Sequence, residues 1–285
     1  MNSDKLNDII RKKSKGNNNL SYHFHQMFFF EHILMRIEKS RYKRNIILKG
    51  GVLLSSIIGE DLRTTKDIDA TLKGLPLNID SINNIFEEIL SIDIDDNVEF
   101  EIIDVKDIRL DDLYCGFRVN VKGVFDKIKT NLFIEITTGD VITPRQIKYK
   151  YNSIFENRKI NIMAYTIETI IAEKFESIIS KNVITTRAKD FYDLYMLMIN
   201  NNNSIDKNNL VKAIQGTFDK RNTIFNISRF KEIIEMLENS KNLRKVFANY
   251  QKRLEYTKLV KYDDTIMAMK EIVKVLESSL EKAKS

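Results

Sequence analysis

Cysteine is nearly missing. Cys115 is the single one, so no internal disulfide can brace the fold. A catalytic thiol would need acid–base partners, and the three histidines, His23, His25 and His32, all lie far upstream. Cys115 therefore reads as a packed strand residue. His23 and His25 have the spacing of a metal pair, but no cysteine or acidic cluster completes a ligand set, and a solvated loop or helix surface is the expectation. Proline occurs only as Pro76 and Pro144. No apolar run is long enough to span a bilayer, and the opening residues MNSDKLNDIIRKKSKGNNN hold no apolar signal core. The expectation is a cytoplasmic protein with no membrane partner.

What is present fits a globular chain with a real core: 285 residues, 43% hydrophobic and 30% charged. That length suits one large domain or two of ordinary size. The net charge is +6. Residues 241–285 hold 11 basic and 6 acidic residues, a local excess of +5. Such an excess reads either as a solvated helical face or as a surface that meets phosphate backbones.

The first forty residues carry apolar positions at helical spacing. Residues 45–48 read as a short buried strand broken by Gly50-Gly51, and residues 52–58 as a short helix. A second strand runs from about Lys66 to Leu72, ended by Gly74 and Pro76. A helix over residues 79–89 is followed by three strand-like runs, 98–105, 117–121 and 131–136. Past Met163 helical periodicity takes over, interrupted by the Asn-rich residues 200–203 and by Gly216. The expected architecture is α+β: a core domain over 1–160 with a small mixed sheet and flanking helices, and a helical-bundle domain over 161–285.

Two constellations carry chemistry. Asp67 and Asp69 are two apart on a strand, so both side chains share one face while Ile68 turns to the core. Such a pair repels itself unless a cation intervenes, and Mg²⁺ or Mn²⁺ suits oxygen ligands. Glu135, between Ile134 and Ile136, faces away from the core and is a third ligand and candidate base for a two-metal site; Asp104 is a rival for that place. Gly50-Gly51 stands between strand and helix, where the backbone can approach phosphate oxygens, and Lys49 and Arg63 have the charge to neutralise a triphosphate. The second constellation is Lys174 inside the apolar stripe of a helix over 166–180, followed by Asp190 and Asp193 one turn apart on the next helix. It reads either as an ion pair joining two helices or as one wall of a nucleotide cleft facing the Asp67-x-Asp69 site.

The order strand, Gly-Gly, short helix, Asp-x-Asp strand and later Glu strand resembles the polymerase-beta type of nucleotidyltransferase core. With Arg63-Thr64-Thr65-Lys66, with Ile134 to Asp140 followed by Pro144, with Ala172-Glu173-Lys174-Phe175 and with Arg187 to Leu194, the segments together resemble the AbiEii/AbiGii toxin family of nucleotidyltransferases. The likeness runs from residue 48 to 194. Two departures stand out: family members often have Gly-Ser at the turn, and many carry Asp in place of Glu135. The resemblance implies transfer of a nucleotide from an NTP to RNA, with the tRNA 3′ end as acceptor. It also implies the toxin role in a bacterial toxin–antitoxin or phage-defence pair, with an antitoxin encoded nearby. Two alternatives remain open: nucleotidylation of a small molecule such as an antibiotic, and a non-catalytic nucleotide-binding module.

Overall fold

The computed structural model describes the backbone of residues 1–110, 114–201 and 203–284, and the side chains of residues 1–108, 116–201 and 203–281. It forms two compact units, Met1–Asp140 with Gln146–Ala164, and Val141–Arg145 with Tyr165–Ser285. Among the described residues no helix is long and apolar enough to cross a membrane.

In the first unit the N-terminal helical stretch is two helices, α1 (Ser3–Ser14) and α2 (Asn18–Lys39). The chain turns between them through positive φ at Lys15 and Gly16, and the Asn17 side chain caps α2 by accepting from the Asn19 and Leu20 N–H groups. Helix α2 is buried almost all round its middle, from Phe24 to Ile37, so it is a core helix and not a surface one. His23 is buried with it, only 4% exposed, and its Nδ1 lies 3.1 Å from the Thr65 carbonyl. This corrects the solvated surface expected for His23. Burial, helped by the Arg63 charge, lowers its pKa to about 4.

The unit's sheet has seven strands: β1 (Ile46–Lys49), β2 (Asp67–Leu72), β3 (Val98–Leu110), β4 (Tyr114–Phe125), β5 (Ile128–Thr137), β6 (Ile147–Asn152) and β7 (Lys159–Ala164). Their order is β3-β4-β5-β2-β1-β7-β6. The pairs β2/β5 and β1/β7 are parallel and the rest antiparallel. Strands β6 and β7 fall where no strand is expected from the sequence. Both are short, and the burial of β7 alternates over only six residues. The Cys115 side chain lies outside the described residues.

Strand β5 alternates cleanly, with Leu132, Ile134 and Ile136 buried and Asn131 and Phe133 exposed. The buried side packs under α2, whose Phe29 ring seats against Gly123 of β4. The other side of β2 and β5 is left for polar side chains. Helix α3 (Gly50–Ile58) starts at the glycines themselves, two residues earlier than the sequence suggests, and α4 (Ile79–Leu90) buries Ile82, Ile85, Phe86 and Ile89.

The second unit is helical: α5 (Ile167–Lys181), α6 (Ala188–Asn201), α7 (Lys207–Lys220), α8 (Ile227–Asn239), α9 (Lys241–Arg253) and α10 (Tyr262–Lys284). Phe175, Phe218, Phe225 and Phe230 form a cluster of edge-to-face and tilted ring pairs. Gly216 does not interrupt the helix as expected; it lies inside α7, where a Cβ would meet Val141 Cγ1 at 3.1 Å. The glycine marks a close approach of residues 141–145, which belong to this unit although they precede two strands of the other.

Glu31 of α2 is fully buried and ties that helix to the β6–β7 turn, accepting from Ser153 Oγ and from the Ile154 N–H, each at 2.6 Å. Burial outweighs these bonds and pushes its pKa from 4.5 up to about 7. A raised pKa means the folded state holds the proton longer than the unfolded chain, so stability is lost as pH rises from about 4.5 through about 7. Glu31→Gln keeps the acceptor and removes the titration. Its stability relative to wild type is therefore expected to climb between pH 5 and 8, by on the order of 3 kcal/mol at 1.36 kcal/mol per pKa unit. Urea unfolding at each pH measures this, and a constant difference across that range would contradict it.

Candidate functional site

Parallel pairing sets Asp67 against Phe133 and Asp69 against Glu135, while antiparallel pairing sets Arg118 of β4 against Glu135 and Lys49 of β1 against Asp69. A row Lys49–Asp69–Glu135–Arg118 thus crosses four strands on one face. Directly opposed residues share a face, so this row follows from register alone. Asp67, Asp69 and Glu135 each bring a carboxylate oxygen within 4.8 Å of the others, and all three are half-buried.

The Gly-Gly turn makes room for this. Gly50 has φ +59, and a Cβ on it would stand 1.8 Å from Asp69 Oδ2; a Cβ on Gly51 would stand 2.0 Å from Thr65 Oγ1. The Gly51 N–H donates to Asp69 Oδ2 at 3.1 Å. The turn at the start of α3 therefore cradles a site carboxylate. Thr65 Oγ1 donates to Asp67 Oδ1 at 3.0 Å and so steadies the second carboxylate.

The Asp69 pKa is raised, first by burial and then by the Asp67 charge, with Glu135 adding to it; the Gly51 N–H and Lys49 pull the other way. A cation relieves such like-charge crowding. Three hard oxygen donors on a half-buried face suit Mg²⁺ or Mn²⁺. The residues fit a divalent ion.

Lys49 Nζ donates to Asp140 Oδ2 at 2.6 Å and to Thr137 Oγ1 at 2.7 Å, and Thr71 Oγ1 also donates to Asp140 Oδ2 at 2.8 Å. Its charge is thus engaged inside the unit. Arg63 is buried and its guanidinium donates to the Thr64 carbonyl. Asp104, the rival third carboxylate, is not in the cluster: it pairs with Lys106 at 2.9 Å and accepts from Asn120, which together lower its pKa. Arg118 was missed by sequence reasoning. Its Nη2 donates to Glu135 Oε1 at 2.5 Å, its Nε at 3.1 Å, and its guanidinium lies 5.5 Å from the Phe133 ring centre. Strand alternation alone gave no register that would have placed it there. Asp140 lay inside a quoted motif, but only the fold shows its bond to Lys49.

In the helical unit, Lys174 of α5 reaches Asp190 Oδ1 at 2.5 Å and Asp193 Oδ2 at 2.9 Å on α6. The side chains are 16%, 4% and 0% exposed, so both carboxylates are desolvated around one ammonium. Arg187 Nε stands 3.6 Å from Asp190 Oδ2.

A mixed sheet that presents Asp-x-Asp on one strand and Glu on its parallel neighbour, beside a Gly-Gly strand-to-helix turn, defines a nucleotidyltransferase core. The chain belongs to the nucleotidyl transferase AbiEii toxin family of type IV toxin–antitoxin systems, whose model matches residues 32–268. It is accordingly a nucleotidyltransferase, with an NTP as substrate and an antitoxin as the partner that the family implies. Enzymes of this kind generally use a divalent metal. Two solved structures from Helicobacter pylori share the fold. One, described as a candidate nucleotidyltransferase, has a TM-score of 0.53 at 16% identity, covering 92% of this chain and 97% of its own. The other, JHP933, has a TM-score of 0.51 at 14% identity, covering 92% and 94%. No curated protein matches the chain.

Removing one charge from the cluster is expected to stabilise the metal-free protein and to abolish its response to metal. Asp69→Asn keeps an acceptor for the Gly51 N–H while removing its repulsion with Asp67 and Glu135. Its melting temperature without metal is expected above wild type, by about 2–4 °C per 1 kcal/mol of repulsion relieved. Added Mg²⁺ is expected to raise the melting temperature of wild type only. A wild-type protein indifferent to Mg²⁺ and Mn²⁺ would remove the metal assignment.

Proposed function

We propose that the protein transfers a nucleoside monophosphate from an NTP to an RNA hydroxyl, with the tRNA 3′ end as acceptor, in a Mg²⁺- or Mn²⁺-dependent reaction. The convergence of Asp67, Asp69 and Glu135 is the observation that carries the chemistry. In this reading the acceptor oxygen bonds to the α-phosphorus, the bond to the departing pyrophosphate breaks, and the hydroxyl proton is lost to a carboxylate or to solvent. When bound, the metal lowers the pKa of the attacking hydroxyl and offsets charge on the departing pyrophosphate. Asp67, Asp69 and Glu135 hold it. Gly50 and Gly51 keep Asp69 in place, Thr65 steadies Asp67, and Lys49 offsets the negative charge of the cluster. Arg63 supports the loop ahead of β2.

Lys174 is proposed to contact the triphosphate, with Asp190 and Asp193 orienting its ammonium. The net basic charge of residues 241–285 supports RNA as the acceptor class.

The test is incubation with each labelled NTP and total tRNA. Wild type is expected to label tRNA with one NTP, and Asp69→Asn to lose at least about 10³-fold, since a required metal ligand is gone. Labelling of small molecules alone, or undiminished labelling by the variant, would overturn the assignment.

Stability and activity separate the two readings of Lys174. Lys174→Ala removes the ammonium shared by two buried carboxylates and is expected to cost about 3–5 kcal/mol. Replacing all three groups, Lys174→Met with Asp190→Leu and Asp193→Leu, is expected to restore most of that stability. If the lysine contacts substrate, the restored triple variant stays inactive; an active triple variant would make the cluster purely structural.

A further inference from the structure

The helical unit carries a second concave site that the carboxylate chemistry does not use. A groove of about 430 Å³ lies between the start of α6 and one face of α9. Arg187 and Lys189 line it from α6 and the residue before it, and Asn249, Tyr250 and Arg253 line it from α9. No carboxylate is among its lining residues. Three cations line the groove with no carboxylate in its wall, and although Arg187 is shared with the buried Asp190, 3.6 Å from its Nε, Lys189 and Arg253 leave the groove positive.

Lys189 and Arg253 are exposed and have no ion-pair partner among the described residues. Helix α9 has the sequence KNLRKVFANYQKR, five basic residues and no acidic one. Leu243 and Phe247 fix its buried side. Val246, Asn249, Tyr250 and Arg253, at helical spacing i, i+3, i+4 and i+7, face the groove. Stepping 100° per residue, Lys241, Lys245 and Lys252 form a neighbouring exposed stripe, also without ion-pair partners among the described residues. By contrast Arg244, on the far side of the stripe, is spent on Asp263 at 2.6 Å. The basic surface therefore runs the length of a 13-residue helix, about 20 Å at 1.5 Å per residue. That is longer than a triphosphate and matches a run of phosphates along a polynucleotide.

We infer that this groove and the lysine stripe beside it dock the phosphodiester backbone of the RNA acceptor. The inference rests on the RNA-acceptor reading above and locates its binding surface. Arg187 and Arg253 offer forked donors to phosphate oxygens. Contacts of this type position RNA without reading its sequence.

The test compares Lys189→Ala/Arg253→Ala with wild type and with Lys207→Ala/Lys212→Ala, which removes equal charge from exposed positions of α7. All four side chains are exposed, so folding is not at stake. Binding of bulk tRNA is measured over a KCl series, and binding of a fluorescent ATP analogue in parallel. The groove variant is expected to bind tRNA about tenfold more weakly, with the slope of log K against log salt shallower by about 1.5–2. Its ATP-analogue affinity is expected to be unchanged, and the α7 variant to match wild type in both. If wild type binds tRNA and the groove variant binds it equally well, the groove is overturned and the RNA reading stands. If wild type does not bind tRNA, both are overturned. If ATP-analogue binding falls with tRNA binding, the groove belongs to the nucleotide and the inference is wrong.

Discussion

The parallel pairing of β2 with β5 is the constraint on which the site depends. It sets Asp69 directly against Glu135 and so brings three carboxylates within 4.8 Å of one another on one sheet face. A slip of one residue would turn Glu135 into the core and Ile134 into the site, because side chains alternate with period two. The register is held by burial. Ile68 and Ala70 on β2 and Leu132, Ile134 and Ile136 on β5 fill the side beneath α2. The hydrophobic core thus aims the polar face, and the crowding of like charges there is sustained by the stability of everything behind it.

Several features make sense as responses to that crowding. Gly50 allows Asp69, and Gly51 allows Thr65, an approach that a side chain would block, and the Gly51 N–H meets the Asp69 oxygen. Arg118 opposes Glu135 from β4, and Lys49 sits across from Asp69 on β1. Positive groups flank the carboxylates on both outer strands, which limits repulsion in the metal-free state and leaves the inner oxygens for a cation. The helical unit uses the same device on a smaller scale, with one ammonium between Asp190 and Asp193. Its basic groove has no carboxylate in the wall and so remains attractive to anions.

The local pattern carried a good share of this. Asp67-x-Asp69 on a strand after a Gly-Gly turn, Glu135 between two isoleucines, and Lys174 inside an apolar stripe are all local signals with a period of two or 3.6. The α+β character and the run of C-terminal helices were legible for the same reason. Asp104 had the same local signature as Glu135 and failed, because β4 and β5 separate β3 from β2 and its carboxylate is taken by Lys106 and Asn120. His23 was expected on a solvated surface because no cysteine or acidic cluster completes a ligand set with it and His25, yet α2 is buried on nearly every side. Gly216 looked like a break, but its small size answers to Val141, 75 residues away in the chain.

The sequence by itself therefore determined which side chains are available and, through spacing within one element, which face of each element they occupy, while its motifs over residues 48–194 carried the family resemblance. Only the tertiary structure decided the partners: that Glu135 and not Asp104 joins the aspartates, that Arg118 holds Glu135, that Lys49 is bound to Asp140, and that α6 and α9 enclose a basic groove. Those outcomes depend on strand order, register and helix packing, which are set by burial between segments distant in the chain and leave no local trace.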